Sequence, residues 1–260
     1  MSHSIDGLFG VAGKTALVTG GARGIGLMIA RAFVENGAKV YISSRKADVC
    51  ESVAAELSQS GECIAIAGDL SQPADVERVA SEIAAREQEL HILVNNAGNN
   101  WGAPLAEYDE AAWERVLSLN LKGLFHVTRE LVPLLKNAGN AEDRNPARVI
   151  NIGSIDGLHV PQFDTYAYAA SKAAVHHLTH VLAKELGKDQ ITVNAIAPGF
   201  FPSKMTDWIF THHGTELLAR CPLGRFGEPE DMAGIAIFLA SRAGAYVNGA
   251  VIPIDGGTIL

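Results

Sequence analysis

The stretch Thr15-Ala-Leu-Val-Thr-Gly-Gly-Ala-Arg-Gly-Ile-Gly26 decides how the rest of the chain is read. Its first five residues are a short, largely apolar run with β-branched members, the composition of a buried strand. Glycines 20, 24 and 26 follow at once, and helical spacing then runs over 24–36 and stops at Gly37. Gly20 permits a tight turn, while Gly24 and Gly26 let main chain and helix approach a pyrophosphate with no Cβ in the way. The helix start adds unbonded N–H groups and the positive end of its dipole. A glycine turn by itself is ordinary punctuation. Set between a strand and a helix it predicts a dinucleotide site, with Gly20, Ala22, Arg23, Gly24, Ile25 and Gly26 as contacts.

Outward from this unit, short apolar runs alternate with longer amphipathic ones. Strands are expected at 39–43, 63–67, 91–95, 148–152, 192–196 and 251–254. Helices are expected at 47–58, 74–87, 113–135, 168–186 and 229–240. Such alternation demands a parallel sheet covered on both faces, and right-handed crossovers reduce the topologies chiefly to the doubly wound α/β sheet. Two segments depart from the pattern. Residues 136–146 are polar, with Gly139 and Pro146, and read as a surface loop. Residues 198–227 are turn-rich around Trp208-Ile-Phe210 and too long for a simple connection, which predicts a substrate lid at about 198–227. With no linker composition and no repeat, residues 1–260 are expected to be a single domain.

Composition narrows the function. With 48% hydrophobic and 19% charged residues the chain is not disordered. Its net charge of −8 argues against nucleic acid as a partner. Three cysteines, Cys50, Cys63 and Cys221, cannot all pair and form no CxxC, which points to a reducing, cytoplasmic setting without a metal. Residues 1–13 lack the pattern of a signal peptide, and no apolar run approaches a membrane span.

The second strand ends in Ser43-Ser44-Arg45, where an NAD site would place an acid. Ser44, Arg45 and Arg23 suit a 2′-phosphate instead, so NADPH/NADP+ is expected and NADH less so. Tyr168-Ala-Ala-Ser-Lys172 sets a phenol and an ammonium one helical turn apart, and a cation there would lower the phenol's pKa. Ser154 follows the strand at 148–152, on the ligand-binding edge of a parallel sheet.

Taken together and in this order, 19–26, Asn95-Asn-Ala-Gly98, Ser154, Tyr168-x-x-x-Lys172, Pro198-Gly199 and Asp255-Gly-Gly257 resemble the classical short-chain dehydrogenase/reductase family over essentially the whole chain. Within it the chain is most similar to 3-oxoacyl reductases of the rhamnolipid-biosynthesis type, through 99–103, 145–154, 167–168 and 251–257. The resemblance implies a single Rossmann-type domain of about seven parallel strands, often a homotetramer or dimer, and an NADPH-dependent reductase of a small ketone such as a 3-oxoacyl thioester. A secondary-alcohol, hydroxysteroid or sugar dehydrogenase, and more remotely a non-catalytic NADP-sensing module, are the alternatives. It further implies Tyr168 as general acid, Ser154 as carbonyl-orienting hydroxyl, Lys172 as ribose ligand and tyrosine activator, and Asn120 as holder of a water that relays protons to Lys172. Asp69 and Leu70 match the adenine pair, Asn96, Ala97 and Gly98 the ribose region, and Pro198, Gly199, Phe201 and Ser203 the nicotinamide segment. His159, Gln162 and Phe163 fall where relatives set substrate shape. Relatives that dock an acyl-carrier protein use two arginines beside the active-site entrance. Asn145 and Asp189 align with them here, beside Arg144 and Lys188, which leaves a carrier-protein partner open.

Overall fold

Seven parallel strands in the order β3-β2-β1-β4-β5-β6-β7 form the centre of the computed structural model, which describes residues 3–204 and 206–260. They are β1 (Thr15–Thr19), β2 (Lys39–Ser44), β3 (Glu62–Ala67), β4 (Ile92–Asn95), β5 (Ala147–Ile152), β6 (Ile191–Pro198) and β7 (Val251–Ile254). The helices are α1 (Ile5–Phe9), α2 (Gly24–Glu35), α3 (Ala47–Leu57), α4 (Pro73–Ala84), α5 (Glu110–Leu117), α6 (Leu124–Ala138), α7 (Tyr166–Leu186), α8 (Asp207–Arg220) and α9 (Pro229–Ala240). This is the doubly wound α/β sheet expected, with Rossmann-type order. β1, β4, β5 and β6 are buried along their whole length, because helices cover both faces, so their sequences are nearly continuously apolar.

Side chains alternate between the two faces. Ala16, Val18, Val40, Ile42, Ile92 and Val94 pack with Ile29 and Phe33 of α2 and Met232 and Leu239 of α9. Leu17, Tyr41, Leu93, Val149 and Val193 point the other way, onto Val79 of α4, Leu131 of α6 and Leu186 of α7. Removing Leu131, 1% exposed, to alanine would cost about 2–5 kcal/mol.

Three features place the site. α9 starts on a capping box of Glu228 and Asp231 with Pro229 in its first turn. Its last carbonyls are taken by cations: Lys14 Nζ donates to Ala240 O at 2.7 Å and Arg148 Nη2 to Ser241 O at 3.0 Å. The stretch expected as one helix at 113–135 is two helices joined by a π-helical segment, Ser118–Gly123. A Cβ on Gly123 would lie 2.4 Å from Leu70 O, so only glycine lets this segment meet the turn after β3. Lastly, the segment at 198–227 is not irregular chain. It contains the 14-residue helix α8, whose weak apolar stripe hid it in the sequence. Met205, inside the expected lid, and residues 1–2 lie outside the described residues.

Candidate active site

β1 and β4 are neighbours whose connections leave in opposite directions, so a crevice opens past Thr19 and Asn95. Thr19 ties the crevice together. Its Oγ1 donates to Val94 O (3.2 Å) and accepts the N–H groups of Asn96 (2.9 Å) and Ala97 (3.0 Å). The Asn96 side chain braces the glycine turn, Nδ2 donating to Thr19 O at 2.9 Å and Gly20 O at 3.2 Å. A Cβ on Gly26 would meet both Gly20 O and Asn96 Nδ2 at 2.4 Å, so α2 can begin this close only with glycine. Gly20 and Gly24 are left-handed, at φ +65° and +52°.

Around this turn Ala22 is buried and Arg23 exposed, with Ile25 half-buried at the start of α2. Ser44 ends β2, and Arg45 projects into solvent just beyond it. Neither the Arg23 nor the Arg45 side chain makes a hydrogen bond or ion pair among the described residues. Asp69 Oδ1 accepts from Ser71 N (3.1 Å) and Ser71 Oγ (2.8 Å), while Leu70 is buried. At the end of β4 the Gly98 Cα faces Asn120 Oδ1, which an added Cβ would approach to 3.3 Å.

The groups expected to react come from the ends of β5, α7 and the π-helical segment. Ser154, 7% exposed, follows β5, and its Oγ accepts the N–H of Asp156 at 3.1 Å. Tyr168 is partly open to the cleft, with the Ser154 side chain near enough to favour its phenolate. Lys172, 5% exposed, lies one turn on, with Nζ 5.5 Å from the Tyr168 ring centroid and donating to Ile152 O at 2.7 Å. An ammonium has three donors, so two N–H groups of Lys172 have no acceptor among the described residues.

The electrostatics depart from expectation. Burial pushes the Tyr168 phenol up to about 12; the Asp156 carboxyl adds to the rise and the bond from Ser154 opposes it. Burial pushes Lys172 down to about 8, with Asp156 opposing. Lys172 therefore does not depress the phenol in this arrangement. Enclosing both groups in protein costs each its charged form, and that outweighs a cation beside the ring face.

Other expected site residues take roles their spacing did not disclose. Asn120, 1% exposed, commits its side chain to scaffolding: Oδ1 accepts from Asn99 N (2.9 Å), and Nδ2 donates to Asn99 O (3.0 Å) and Ser171 Oγ (3.1 Å). Gly199 packs on Asp255 and donates to Ile254 O at 2.9 Å, just past Pro198. The Phe201 ring is buried against Gly227, so it faces the core and not the crevice. Ser203 meets the glycine turn: a Cβ on Gly24 would be 3.3 Å from its Cβ. Thr206 holds that bend, accepting from Ser203 N (2.9 Å) and donating to Phe201 O (2.7 Å). Gln162 reaches α8, donating to Glu216 Oε1 (2.8 Å) and accepting from Arg220 Nη1 (3.0 Å). Phe163 packs edge-on against His213 at 5.3 Å, and His212 stacks on Trp208 at 4.6 Å. Among the described residues no group of three acidic, histidine or cysteine side chains could hold a metal.

Two residues were missed. His176 is 5% exposed, with Nε2 3.4 Å from Ser154 N, and burial pushes it down to about 4. Asp156 stands beside Ser154. Its helical spacing from Lys172 could have marked His176, since 172 and 176 share a face, but histidine there also reads as ordinary packing. Asn145 and Asp189 precede β5 and β6, on the sheet edge opposite Ser154, and Asp189 is paired with Lys136 at 3.0 Å.

Known proteins share this arrangement. Residues 14–213 match the short chain dehydrogenase family. A rhamnolipids biosynthesis 3-oxoacyl-(acyl-carrier-protein) reductase of Pseudomonas aeruginosa is 50% identical over 253 residues, 96% of this chain and 97% of that protein. A solved Pseudomonas aeruginosa RhlG/NADP active-site complex superposes with a TM-score of 0.93 at 49% identity, over 98% of this chain and 99% of that one. A gluconate 5-dehydrogenase of Gluconobacter oxydans is 33% identical, over 99% of this chain and 98% of its own. Identity of this extent, over a sheet wound in the same order, makes the chain a member of the short-chain dehydrogenase family.

Proposed function

We propose that the protein is an NADPH-dependent carbonyl reductase whose substrate is a 3-oxoacyl thioester or related β-keto compound. The observation that carries the reading is the enclosed Ser154–Tyr168–Lys172 group, together with a glycine turn whose Arg23 side chain, like that of Arg45 just past β2, has no partner among the described residues.

The residues present fit a phosphorylated dinucleotide. Gly20, Ala22, Gly24, Ile25 and Gly26 would hold its pyrophosphate, and Arg23, Ser44 and Arg45 the 2′-phosphate. Asp69 keeps one carboxylate oxygen for the adenine amine, and Leu70 walls that pocket. Asn96, Ala97 and Gly98 would flank the ribose, and Pro198, Gly199, Ser203 and the Phe201 backbone the nicotinamide. The two spare N–H groups of Lys172 suit ribose hydroxyls. Bound NADPH supplies a hydride to the ketone carbon.

The chain supplies the proton. Ser154 holds the ketone oxygen, and Tyr168 transfers its phenolic proton to that oxygen as the alcohol forms. A phenol raised to about 12 stays protonated throughout the neutral range, which is the form a general acid needs. Lys172, near 8, returns a proton to the phenolate. Asn120 serves this relay through its backbone carbonyl, because its side chain is bound to Asn99 and Ser171. Positioned acid catalysis of this kind contributes ~10²–10⁴-fold.

Residues 198–227, carrying α8, act as a lid over nicotinamide and ketone, tied to the catalytic side through Gln162. The working form is a homotetramer in the cytoplasm, and the reducing setting agrees with three free, buried cysteines. No helix among the described residues is long and apolar enough to cross a membrane. The relatives' names support the β-keto substrate class and NADP as partner. The test is NADPH oxidation across β-keto thioesters, β-keto esters, cyclic ketones, steroids and keto-sugars. Turnover of β-keto compounds is expected, and a steroid or sugar as the only good substrate would overturn the assignment.

A further inference from the structure

Asp156 is a carboxyl at the reacting end of the cleft that neither proton transfer nor cofactor binding uses. It lies two residues past Ser154 in the 3-10 turn Ile155–Gly157, and its N–H donates to Ser154 Oγ at 3.1 Å. The carboxyl and the hydroxyl that would hold the ketone are thus fixed as one unit. Its side chain is 23% exposed, so it is neither in the core nor in open solvent.

The charges around it leave it weakly matched. His159 faces it from the following residues, Nε2 being 3.8 Å from Asp156 Oδ1. His159 Nδ1 is 2.7 Å from Val160 O. A carbonyl only accepts, so Nδ1 carries a hydrogen there and the ring turns its Nε2 edge toward the carboxyl. From α7, Tyr168 and Lys172 face it; the Lys172 ammonium donates to Ile152 O and favours the Asp156 carboxylate without pairing directly with it, and His176 adjoins Lys172. No lysine or arginine among the described residues comes within 4.0 Å of the Asp156 carboxylate, so its charge acts on whatever enters beside Ser154.

We infer that Asp156 is a charge filter for the ketone, rejecting substrates that carry an anion near the reacting carbon and admitting neutral β-keto esters and thioesters. The inference rests on the reductase reading above and deepens it. It also separates the substrate classes that the relatives' names suggest. A 3-oxoacyl thioester has no charge near its ketone, whereas a keto-sugar acid brings a carboxylate into the cleft. Like charges brought together in a partly desolvated cleft are a standard means of rejecting a wrong ligand. Burial raises the Asp156 carboxyl above its ordinary range, so the filter weakens as acid protonates it.

The experiment uses two ketones of one skeleton, ethyl 3-oxobutanoate and 3-oxobutanoate, differing in the negative charge and the ester group. With NADPH at pH 7.5, kcat/KM should favour the ester at least tenfold in the unaltered enzyme. In Asp156→Asn that ratio should fall by about tenfold, equivalent to ~1.4 kcal/mol, mainly through better use of the anion. Any effect of the substitution on Tyr168 acts on both ketones and cancels in the ratio. Asp156→Ser serves as a second variant. Where one variant fails to fold, the other decides. A ratio within threefold of the unaltered value in every folded variant overturns the filter alone. Turnover of neither ketone overturns the β-keto reading and the filter with it.

Discussion

Lowering the pH should unfold this protein through His176, and a single substitution should remove that part of the sensitivity. The ring is 5% exposed, and burial holds its pKa at about 4 instead of the ordinary 6.5. In the unfolded chain it binds a proton near 6.5, while in the folded protein it does not until about 4. The unfolded state therefore binds more protons between these values, and stability falls as pH drops through that window. Above about pH 7.5 the group is neutral in both states and costs nothing. At pH 5 the loss comes to about 2 kcal/mol, approaching ~3 kcal/mol below pH 4. For a chain of this size that lowers Tm by about 4–8 °C at pH 5 relative to neutral pH. The assay is thermal melting of the unaltered protein and His176→Gln at pH 7.5, 6, 5 and 4.5. Other groups titrate in this range, so the difference between the two curves is the quantity that matters. It should close steadily in the variant's favour as acid is added. Parallel curves would refute the reasoning and would mean that the ring takes up its proton without cost. Reductase activity of the folded enzyme should fall only near pH 4, where Nε2 takes up its proton and can no longer accept from Ser154 N.

Tyr168→Phe should lower kcat at least about 100-fold, leaving Tm and NADPH affinity within twofold, by stopped-flow turnover and fluorescence titration; retained turnover would exclude the phenol as the acid. Ser44→Asp with Arg45→Ala should move the kcat/KM preference from NADPH toward NADH by about tenfold or more, ~1.4 kcal/mol, by placing a carboxylate where a phosphate oxygen would sit; an unaltered enzyme already preferring NADH would remove the role given to Arg23 and Arg45. Gly26→Ala should lower Tm and raise the Kd for NADPH together, because its Cβ would press on Gly20 O and Asn96 Nδ2 at 2.4 Å, against main chain that cannot swing aside. Gln162→Ala should speed hydrogen exchange in α8, by cutting both bonds to Glu216 and Arg220; unchanged exchange would show that the lid is held elsewhere.

The sequence by itself determined the doubly wound class of the sheet and where most of its strands fall. Runs such as Thr15–Thr19 and Ile191–Pro198 are apolar because both faces are covered, and that signal is local and needs no partner to be read. The glycine turn was equally legible, since glycines 20, 24 and 26 answer to main-chain geometry within a few residues. Legibility stopped where a role depends on contacts across the chain. Nothing in the spacing of Tyr168 and Lys172 says how much protein encloses them, and it is this enclosure that raises the phenol and lowers the ammonium. Asn120 became a brace for Asn99 and Ser171, and Phe201 turned to the core against Gly227, through neighbours 21 to 51 residues away. α8 escaped notice because it buries little beyond Leu217 and so has no strong apolar stripe to display. His176 and Asp156 acquired meaning only when folding set both beside Ser154. Periodicity reports which face of an element is buried; the free energy of a proton depends on everything within several ångströms, and only the tertiary structure decides that.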